Sequence, residues 1–361
     1  MLGMRTATLV VAALILGSVL WDAFETIVLP RTAMRKLRLT RVYYRISWRG
    51  WMLAGRVLRS DARRERYLAI YGPLSVIGLL AVWAIALITA FALIRWSRDQ
   101  VPFVDSMYRS ATTLFTLGSG EGLPHSGFER LAIVAEAAAG IGLLTMVFAY
   151  LPVIYQSFSR REVRLTLLDA WAGSPPAAAE VLRRAAAAGD LSPLDDFFRE
   201  WEYWCSEVLE SHISYPTVAF FRSQHSRQSW VSALTTVLDL SALVEAGIEG
   251  VPTWQAHVTF AMARHTAVDL VQVLHAVPDS AADRLPDNDL EQLRRQLEAA
   301  GLRPARSPEA DRRLLELRRS YEPYIIGLSR ALMMATPSWW HLDVMKDNWQ
   351  VSAKGPAGAH L

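Results

Sequence analysis

The residues best suited to a chemical task form a short run in which two glycines alternate with larger residues and an acid closes the sequence. The run consists of Thr116, Leu117, Gly118, Ser119, Gly120 and Glu121. Alternate glycines permit backbone angles that side chains forbid, so successive carbonyl oxygens can point toward one axis. A ring of such oxygens replaces the hydration shell of a monovalent cation. The backbone of this run is therefore a candidate ion-binding element.

Two long apolar stretches flank this run. Residues 67–94 contain 28 positions without a charged side chain, and residues 137–159 are uncharged as well. A helix of the first length measures about 42 Å, enough to cross a bilayer with some tilt. Residues 103–115 predict a helix of about three turns, which is too short to cross. Non-helical backbone at membrane depth is stable only where it lines a cavity or is buried in protein, so we expect a helix that enters the membrane, stops and returns as extended backbone.

A third apolar stretch, residues 6–28, contains Asp22 and Glu25. A removable signal peptide is the alternative to a transmembrane anchor here. A signal peptide carries its positive charges before the apolar run and a small-residue cleavage site after it, whereas a lone Arg5 precedes this run and bulky residues follow it. The pattern favours an anchor, and the two acids are expected near the arginines of the following loop.

Positive charge is concentrated in the first half of the chain. Residues 1–166 hold 20 Lys/Arg and 10 Asp/Glu, a balance of +10, and the remaining 18 and 25 give −7. Residues 31–66 alone hold 12 Lys/Arg against two acids. Basic loops stay in the cytoplasm, which predicts a multi-pass cell-membrane protein with its N-terminus outside and its C-terminus inside.

The basic segment, residues 31–66, repeats arginines and apolar residues at helical spacing on different faces. This pattern predicts an amphipathic helix on the inner leaflet, with its arginines toward anionic membrane lipids. A plain topology signal without a specific lipid is the alternative. Nucleic-acid binding is not expected of a segment tethered between two spans.

The arrangement resembles the pore-loop potassium channels, in particular the bacterial two-transmembrane channels and the pore domains of two-pore channels. Their filter is Thr-Val-Gly-Tyr-Gly-Asp or Thr-Ile-Gly-Phe-Gly-Asp, preceded by Tyr-x-Ser-x-x-Thr, where this chain has Tyr108, Ser110 and Thr113. The resemblance covers about residues 67–160. The chain departs from the family at Ser119, where the family has an aromatic residue, and at Glu121, where it has Asp.

The resemblance implies a channel rather than an enzyme, with K⁺ in the filter and no other cofactor or metal. Thr116 would form the innermost ion site, and the next four residues, 117–120, would supply the sites above it. Glu121 would concentrate cations at the outer mouth. Each chain supplies one loop and the family needs four, so the resemblance also implies a homotetramer.

Several residues are candidates for supporting the filter or for gating. Arg109 and Thr113 in the short helix and Glu136 in the last span are the proposed filter supports, because ionisable residues inside membranes usually pair. Separate contacts of Arg109 and Glu136 with the outer headgroups are the alternative to such a pair. Gly140 is the candidate hinge and Pro152 the candidate kink of the inner helix, although small residues also allow close helix packing.

The C-terminal part of the chain is predicted to be helical. Helical stretches are expected near residues 194–211, 228–246, 254–275, 288–300 and 308–335. Neither a Gly-x-Gly-x-x-Gly motif after a strand nor the short strands of a cyclic-nucleotide domain is found, so the regulatory ligand expected on this domain is unknown. His212 and Cys205 lack the tight spacing of a zinc site and are interpreted as core residues.

These inferences give an all-α fold: membrane helices with a re-entrant pore helix and selectivity filter, plus a helical cytoplasmic domain. The predicted parts are an N-terminal transmembrane helix (1–30), the basic linker helix (31–66), the pore domain (67–160), the cytoplasmic regulatory domain (161–350) and a disordered tail (351–361). A membrane-anchored helical sensor or scaffold without ion conduction is the alternative function. It would leave the filter-like run between two spans unexplained.

Overall fold

The structure of the chain is a computed structural model that describes residues 2–27, 39–99, 101–118, 126–225, 227–281 and 283–341. These residues form helices without a β-strand, which confirms the all-α prediction. The chain divides into two compact units, Met1–Tyr155 and Gln156–Leu361, called here the membrane unit and the C-terminal unit. The predicted tail, 351–361, lies outside the described residues.

The membrane unit contains α1 (Leu2–Ile27), α2 (Leu39–Arg56), α3 (Asp61–Asp99), α4 (Phe103–Leu114) and the first part of α5 (Gly127–Ala172). Three of these helices, α1, α3 and α5, are long and apolar enough to cross a membrane. They coincide with the three stretches predicted from the sequence. The short helix before the filter is also present, as α4.

Among its described residues, the C-terminal unit contains the end of α5 and six further α-helices. They are α6 (Ala178–Ala187), α7 (Pro193–Ser214), α8 (Trp230–Gly247), α9 (Thr253–Val273), α10 (Asp287–Ala299) and α11 (Pro308–Leu332). The five stretches predicted from the sequence correspond to α7–α11 within three residues at each end. Helix α8 is also apolar enough to span a membrane, but 83% of its most apolar window is buried inside the protein. A helix that is apolar all round is typical of a protein core, and α8 fills that position here.

A buried carboxylate joins the first three helices. The Asp22 carboxylate at the end of α1 accepts hydrogen bonds from the indole Nε1 of Trp83 in α3, at 3.0 Å, and from the Thr40 hydroxyl in α2, at 2.6 Å. It also accepts the backbone N–H of Thr40, at 3.1 Å, and so caps the first turn of α2. Thr40 and Trp83 are thus partners of Asp22 among the described residues, and its expected contact with the arginines of the following loop stays a prediction, because residues 28–38 lie outside the described residues.

Helix α2 packs lengthwise and antiparallel against the first turns of α3. The Trp51 ring stacks on Tyr67 with centroids 4.4 Å apart, and the Tyr43 hydroxyl donates to the Ser75 carbonyl at 2.9 Å. Gly78 makes this approach possible, because a Cβ there would lie 2.2 Å from the Tyr43 hydroxyl oxygen. The predicted basic helix exists, but its aromatic face is attached to α3, and it ends at Arg56 while residues 61–66 already belong to α3.

The core of the C-terminal unit encloses a charge network. The Arg284 guanidinium binds both oxygens of the fully buried Asp239 in α8, at 2.9 and 2.7 Å. The Tyr321 hydroxyl of α11 donates to the same carboxylate at 2.6 Å. A buried carboxylate is stable when its oxygens are satisfied in this way. The network fixes α11 and the loop before α10 onto α8.

Candidate functional site

The pore helix, α4, ends in a turn that satisfies its last carbonyl groups. The Thr116 N–H donates to the Thr113 carbonyl at 3.0 Å, and the Leu117 N–H donates to the Thr112 carbonyl at 2.8 Å. This pair of bonds is a Schellman motif, in which the residue after the C-cap takes a left-handed conformation. Thr116 occupies that position with φ of 56°, where glycine is usual. The helix therefore stops at the start of the candidate ion-binding run.

Two residues beyond Thr116, the backbone again takes a positive φ. Gly118 has φ of 75°, as predicted for a position that excludes a side chain. The side chain of Leu117 between them is 76% exposed in the single chain. Ser119, Gly120 and Glu121 lie outside the described residues. The structure therefore brings Thr116, Leu117 and Gly118 together at the end of α4. The ion-binding roles given to these residues and to Ser119, Gly120 and Glu121 remain predictions.

Gly140 of α5 packs directly against the end of the pore helix. A Cβ at Gly140 would lie 1.9 Å from the carbonyl oxygen of Leu114, the last residue of α4. At Gly142, two residues after Gly140, a Cβ would have no atom within 4 Å. The absence of a side chain at Gly140 thus lets the inner helix contact the pore helix. This contact supports the packing alternative, while a hinge at Gly140 remains a prediction.

Glu136 is fully buried one turn before Gly140, and its ion pair is with Arg95 at the end of α3. The Arg95 Nη2 donates to the Glu136 Oε2 at 2.7 Å and to the Thr113 hydroxyl at 3.3 Å. This group ties α3, α5 and the last turn of α4 together. Glu136 and Thr113 are among the residues predicted to support the filter, whereas Arg95 is not.

Arg109 contributes to the pore helix through its carbonyl oxygen. That oxygen accepts hydrogen bonds from the hydroxyl groups of Thr112 and Thr113, both at 2.9 Å. The ion pair that the structure gives to Glu136 is with Arg95 and not with Arg109. The clue to Arg95 was its position, because it is the first charged residue after the uncharged span 67–94.

Pro152 lies inside α5, where it lacks the backbone N–H of an ordinary helical residue. Two positions earlier, Tyr150 is buried. A kink of α5 at Pro152 remains a prediction.

The end of α5 is built into the core of the C-terminal unit through Arg161. The Arg161 side chain is 1% exposed and donates to the carbonyl groups of Val218, at 3.1 Å, and Phe221, at 2.8 Å. It also pairs with Glu162 at 3.1 Å. Arg161 directly follows the uncharged stretch 137–159 and its neighbour Arg160, and the structure shows it as a buried anchor of the helix.

His212 faces this anchor. Its Nε2 lies 3.2 Å from the Arg161 guanidinium, and its Nδ1 lies 2.8 Å from the Val208 carbonyl. Since a guanidinium only donates, Nε2 accepts from Arg161 and Nδ1 donates to Val208, so the ring is neutral. Burial, followed by the positive charge of Arg161, lowers the pKa of His212 well below its usual value. Among the described residues no group of His, Cys, Asp and Glu could hold a metal ion.

Comparison with known proteins gives two matches. The sequence model of a family described as "Ion channel" matches residues 79–156, which cover about half of α3, all of α4 and the first part of α5. An "Uncharacterized membrane protein YdjJ" of Bacillus subtilis (strain 168) is 21% identical over 249 residues, covering 65% of this chain and 71% of the relative. No solved structure matches the chain.

Proposed function

We propose, from the premise that residues 79–156 form the pore domain of an ion channel, that the chain conducts potassium as a homotetramer in the cell membrane. The observation that carries this proposal is the end of the pore helix. There the Schellman turn and the positive φ values of Thr116 and Gly118 direct the backbone away from the helix. Backbone carbonyl groups at such a point can bind a cation without any charged side chain.

A tetramer follows from the number of loops. Each chain of 40.4 kDa contains one pore helix and one candidate filter run. A ring of carbonyl oxygens with a central axis needs several copies of that run, and closed cyclic symmetry supplies them. The mass of the purified protein in detergent, corrected for bound detergent, tests this step. A mass of one or two chains would contradict the tetramer and favour a membrane-anchored scaffold.

The pore helix is supported on two sides in a way suited to this role. Gly140 lets α5 contact the carbonyl group at its end, and Arg95 connects Thr113 with the buried Glu136. Separating the two partners of a buried ion pair leaves an uncompensated charge, which strongly destabilises a protein. The pair between Arg95 and Glu136 therefore keeps α3 and α5 in place beside the pore helix. The carbonyl oxygens that follow the helix are thereby held at a defined distance from their neighbours.

Selectivity is proposed to be for potassium over sodium, but weaker than in channels with an aromatic residue in place of Ser119. An aromatic side chain there packs outward and holds the carbonyl ring at a fixed width. Loss of such packing costs about 3–5 kcal/mol in an ordinary core. About 1.4 kcal/mol already changes a preference tenfold, so a looser ring forfeits much of it.

The experiment is bi-ionic reversal-potential measurement on the protein reconstituted in planar bilayers. The wild type should prefer K⁺ over Na⁺, and Ser119→Tyr or Ser119→Phe should increase that preference. A wild type as selective as the aromatic variants would contradict the packing argument. If the wild type carried no cation current and did not differ from Gly118→Ala, the proposal that the chain is an ion channel would be wrong.

Gating is proposed to act through α5, whose final turns belong to the C-terminal unit. Arg161 fixes these turns to the loop that carries Val218 and Phe221, so a rearrangement of the unit is passed to the helix. Replacing Arg161 with Gln should change the open probability while the K⁺/Na⁺ permeability ratio stays constant. A changed ratio would show that this unit contributes to the ion path.

A further inference from the structure

Helix α2 has an outward face that no part of the described chain covers. Val42, Ile46 and Leu53 on this face are 39%, 66% and 58% exposed. Arg45, Arg49 and Arg56 are exposed alongside them. The opposite face of α2, with its tyrosines and tryptophans, packs against α3. This packing keeps the face with the arginines and exposed apolar residues directed outward.

Within the part of the chain that the structure describes, the arginines of this face have no acidic partner. Helix α2 contains no acidic residue, and within the described residues Arg45, Arg49 and Arg56 take part in no ion pair. The exposed arginines of the C-terminal unit behave differently. Arg199 pairs with Asp195 at 2.8 Å, and Arg306 pairs with Glu298 at 2.7 Å. The charges on α2 are thus available to an anionic partner.

The position of α2 along α3 suggests what that partner is. The uncharged stretch 67–94 corresponds to about 42 Å of helix, whereas a hydrocarbon core is about 30 Å thick. Helix α2 lies beside Tyr67 and Ser75, at the end of this stretch that adjoins the basic residues. Its outward face is therefore at the boundary between acyl chains and headgroups. Apolar side chains suit the acyl side of that boundary, and arginines reach phosphates from it.

We propose that the outward face of α2 binds anionic phospholipids, with Val42, Ile46 and Leu53 among the acyl chains. Arg45, Arg49 and Arg56 donate to the phosphate oxygens of the headgroups. A planar guanidinium matches a phosphate with two parallel hydrogen bonds, and its charge persists at every physiological pH. This proposal does not depend on ion conduction, because the surface and its charges exist whether or not the pore conducts.

The test uses the full-length chain in a neutral detergent. Delipidated protein is mixed with phosphatidylglycerol or with phosphatidylcholine, and retained lipid is counted by native mass spectrometry. Phosphatidylglycerol should be retained preferentially. Each arginine near an anionic surface contributes about fivefold in affinity, so R45Q/R49Q/R56Q should weaken retention roughly a hundredfold.

Two further variants serve as controls. R45K/R49K/R56K keeps the charges but loses the planar guanidinium groups, so it should retain more phosphatidylglycerol than R45Q/R49Q/R56Q and less than the wild type. R199Q/R306Q removes exposed arginines that already have acidic partners and should bind lipid like the wild type. Equal retention of the two lipids, or unchanged retention in R45Q/R49Q/R56Q, would overturn the proposal and assign this face to another partner, such as an acidic protein.

Discussion

Replacement of Gly140 by alanine should displace the pore helix. The new Cβ would lie 1.9 Å from the Leu114 carbonyl oxygen and 2.8 Å from the carbonyl carbon. Ordinary contact of a Cβ begins near 3.4 Å, so the two helices must separate by about 3.4 − 1.9 = 1.5 Å. Backbone atoms, unlike the end of a flexible side chain, yield to such a contact only by moving the whole helix.

The energetic effect follows from two opposing contributions. Overpacking of this kind costs about 1–3 kcal/mol. Alanine improves the intrinsic stability of a helix by about 1 kcal/mol relative to glycine. The net destabilisation at Gly140 is therefore about 0–2 kcal/mol, which the protein can survive. The displacement itself matters more, because Thr116 and Gly118 follow Leu114 directly and move with it.

Potassium efflux from liposomes measures the effect on conduction, and Gly142→Ala is the matched control. Gly140→Ala should reduce efflux at least tenfold, whereas Gly142→Ala, with no atom within 4 Å of its Cβ, should conduct like the wild type and unfold at an equal or higher temperature. Equal loss in both variants would indicate that helix flexibility, and not the contact with Leu114, is required. Normal efflux in Gly140→Ala would show that the contact yields without consequence.

Three further changes should have measurable effects. Gly118→Ala forces a side chain onto backbone with φ of 75°, at a cost of about 1–2 kcal/mol, so efflux should fall while the oligomer stays intact by size; normal efflux would remove Gly118 from the ion path. Glu136→Gln leaves the Arg95 guanidinium buried without its carboxylate, at a cost of about 3–5 kcal/mol, and the additional change Arg95→Met should restore part of the lost thermal stability. Strictly additive losses in the double variant would show that the two groups do not interact. The pKa of His212 is lowered on folding, so its contribution to the stability of the C-terminal unit is complete above about pH 6.5 and is lost as the pH falls through the lowered folded-state pKa. His212→Gln should flatten this part of the melting-temperature profile between about pH 4 and 8, and an unchanged profile would assign the pH dependence to other groups.

The spans and the pore helix were predictable because each depends on a local property of the sequence. An uncharged stretch such as 137–159 has to be covered by lipid or protein, and a run of alternate glycines such as 116–121 has few conformations available at membrane depth. Helix α8 shows the limit of that reasoning. It is as apolar as a span by composition, and only its burial in the C-terminal unit distinguishes the two cases.

The partners of charged residues were not predictable in the same way. Arg95 and Glu136 are 41 positions apart, and their contact depends on the rotation of α3 and α5 about their own axes. Arg109 was an equally reasonable partner by sequence, since it is closer along the chain. Arg161 illustrates a related difficulty: a count of basic residues treats it as a solvent-facing charge, whereas the protein interior satisfies it with two carbonyl groups and Glu162.

The packing of α2 could have been inferred from a mismatch in length. A hydrocarbon core about 30 Å thick needs about 20 helical residues, so the 28 uncharged residues of 67–94 leave about eight without lipid to cover them. At the basic end of the stretch these are residues 67–74, which include Tyr67 and Tyr71. Those two tyrosines are the ones that contact Trp51 and Trp48. The apolar surface of residues 67–74 and the aromatic face of α2 both need to be shielded from water. Packing of α2 against α3 buries both surfaces at once, so the surplus length of the apolar stretch predicts this packing.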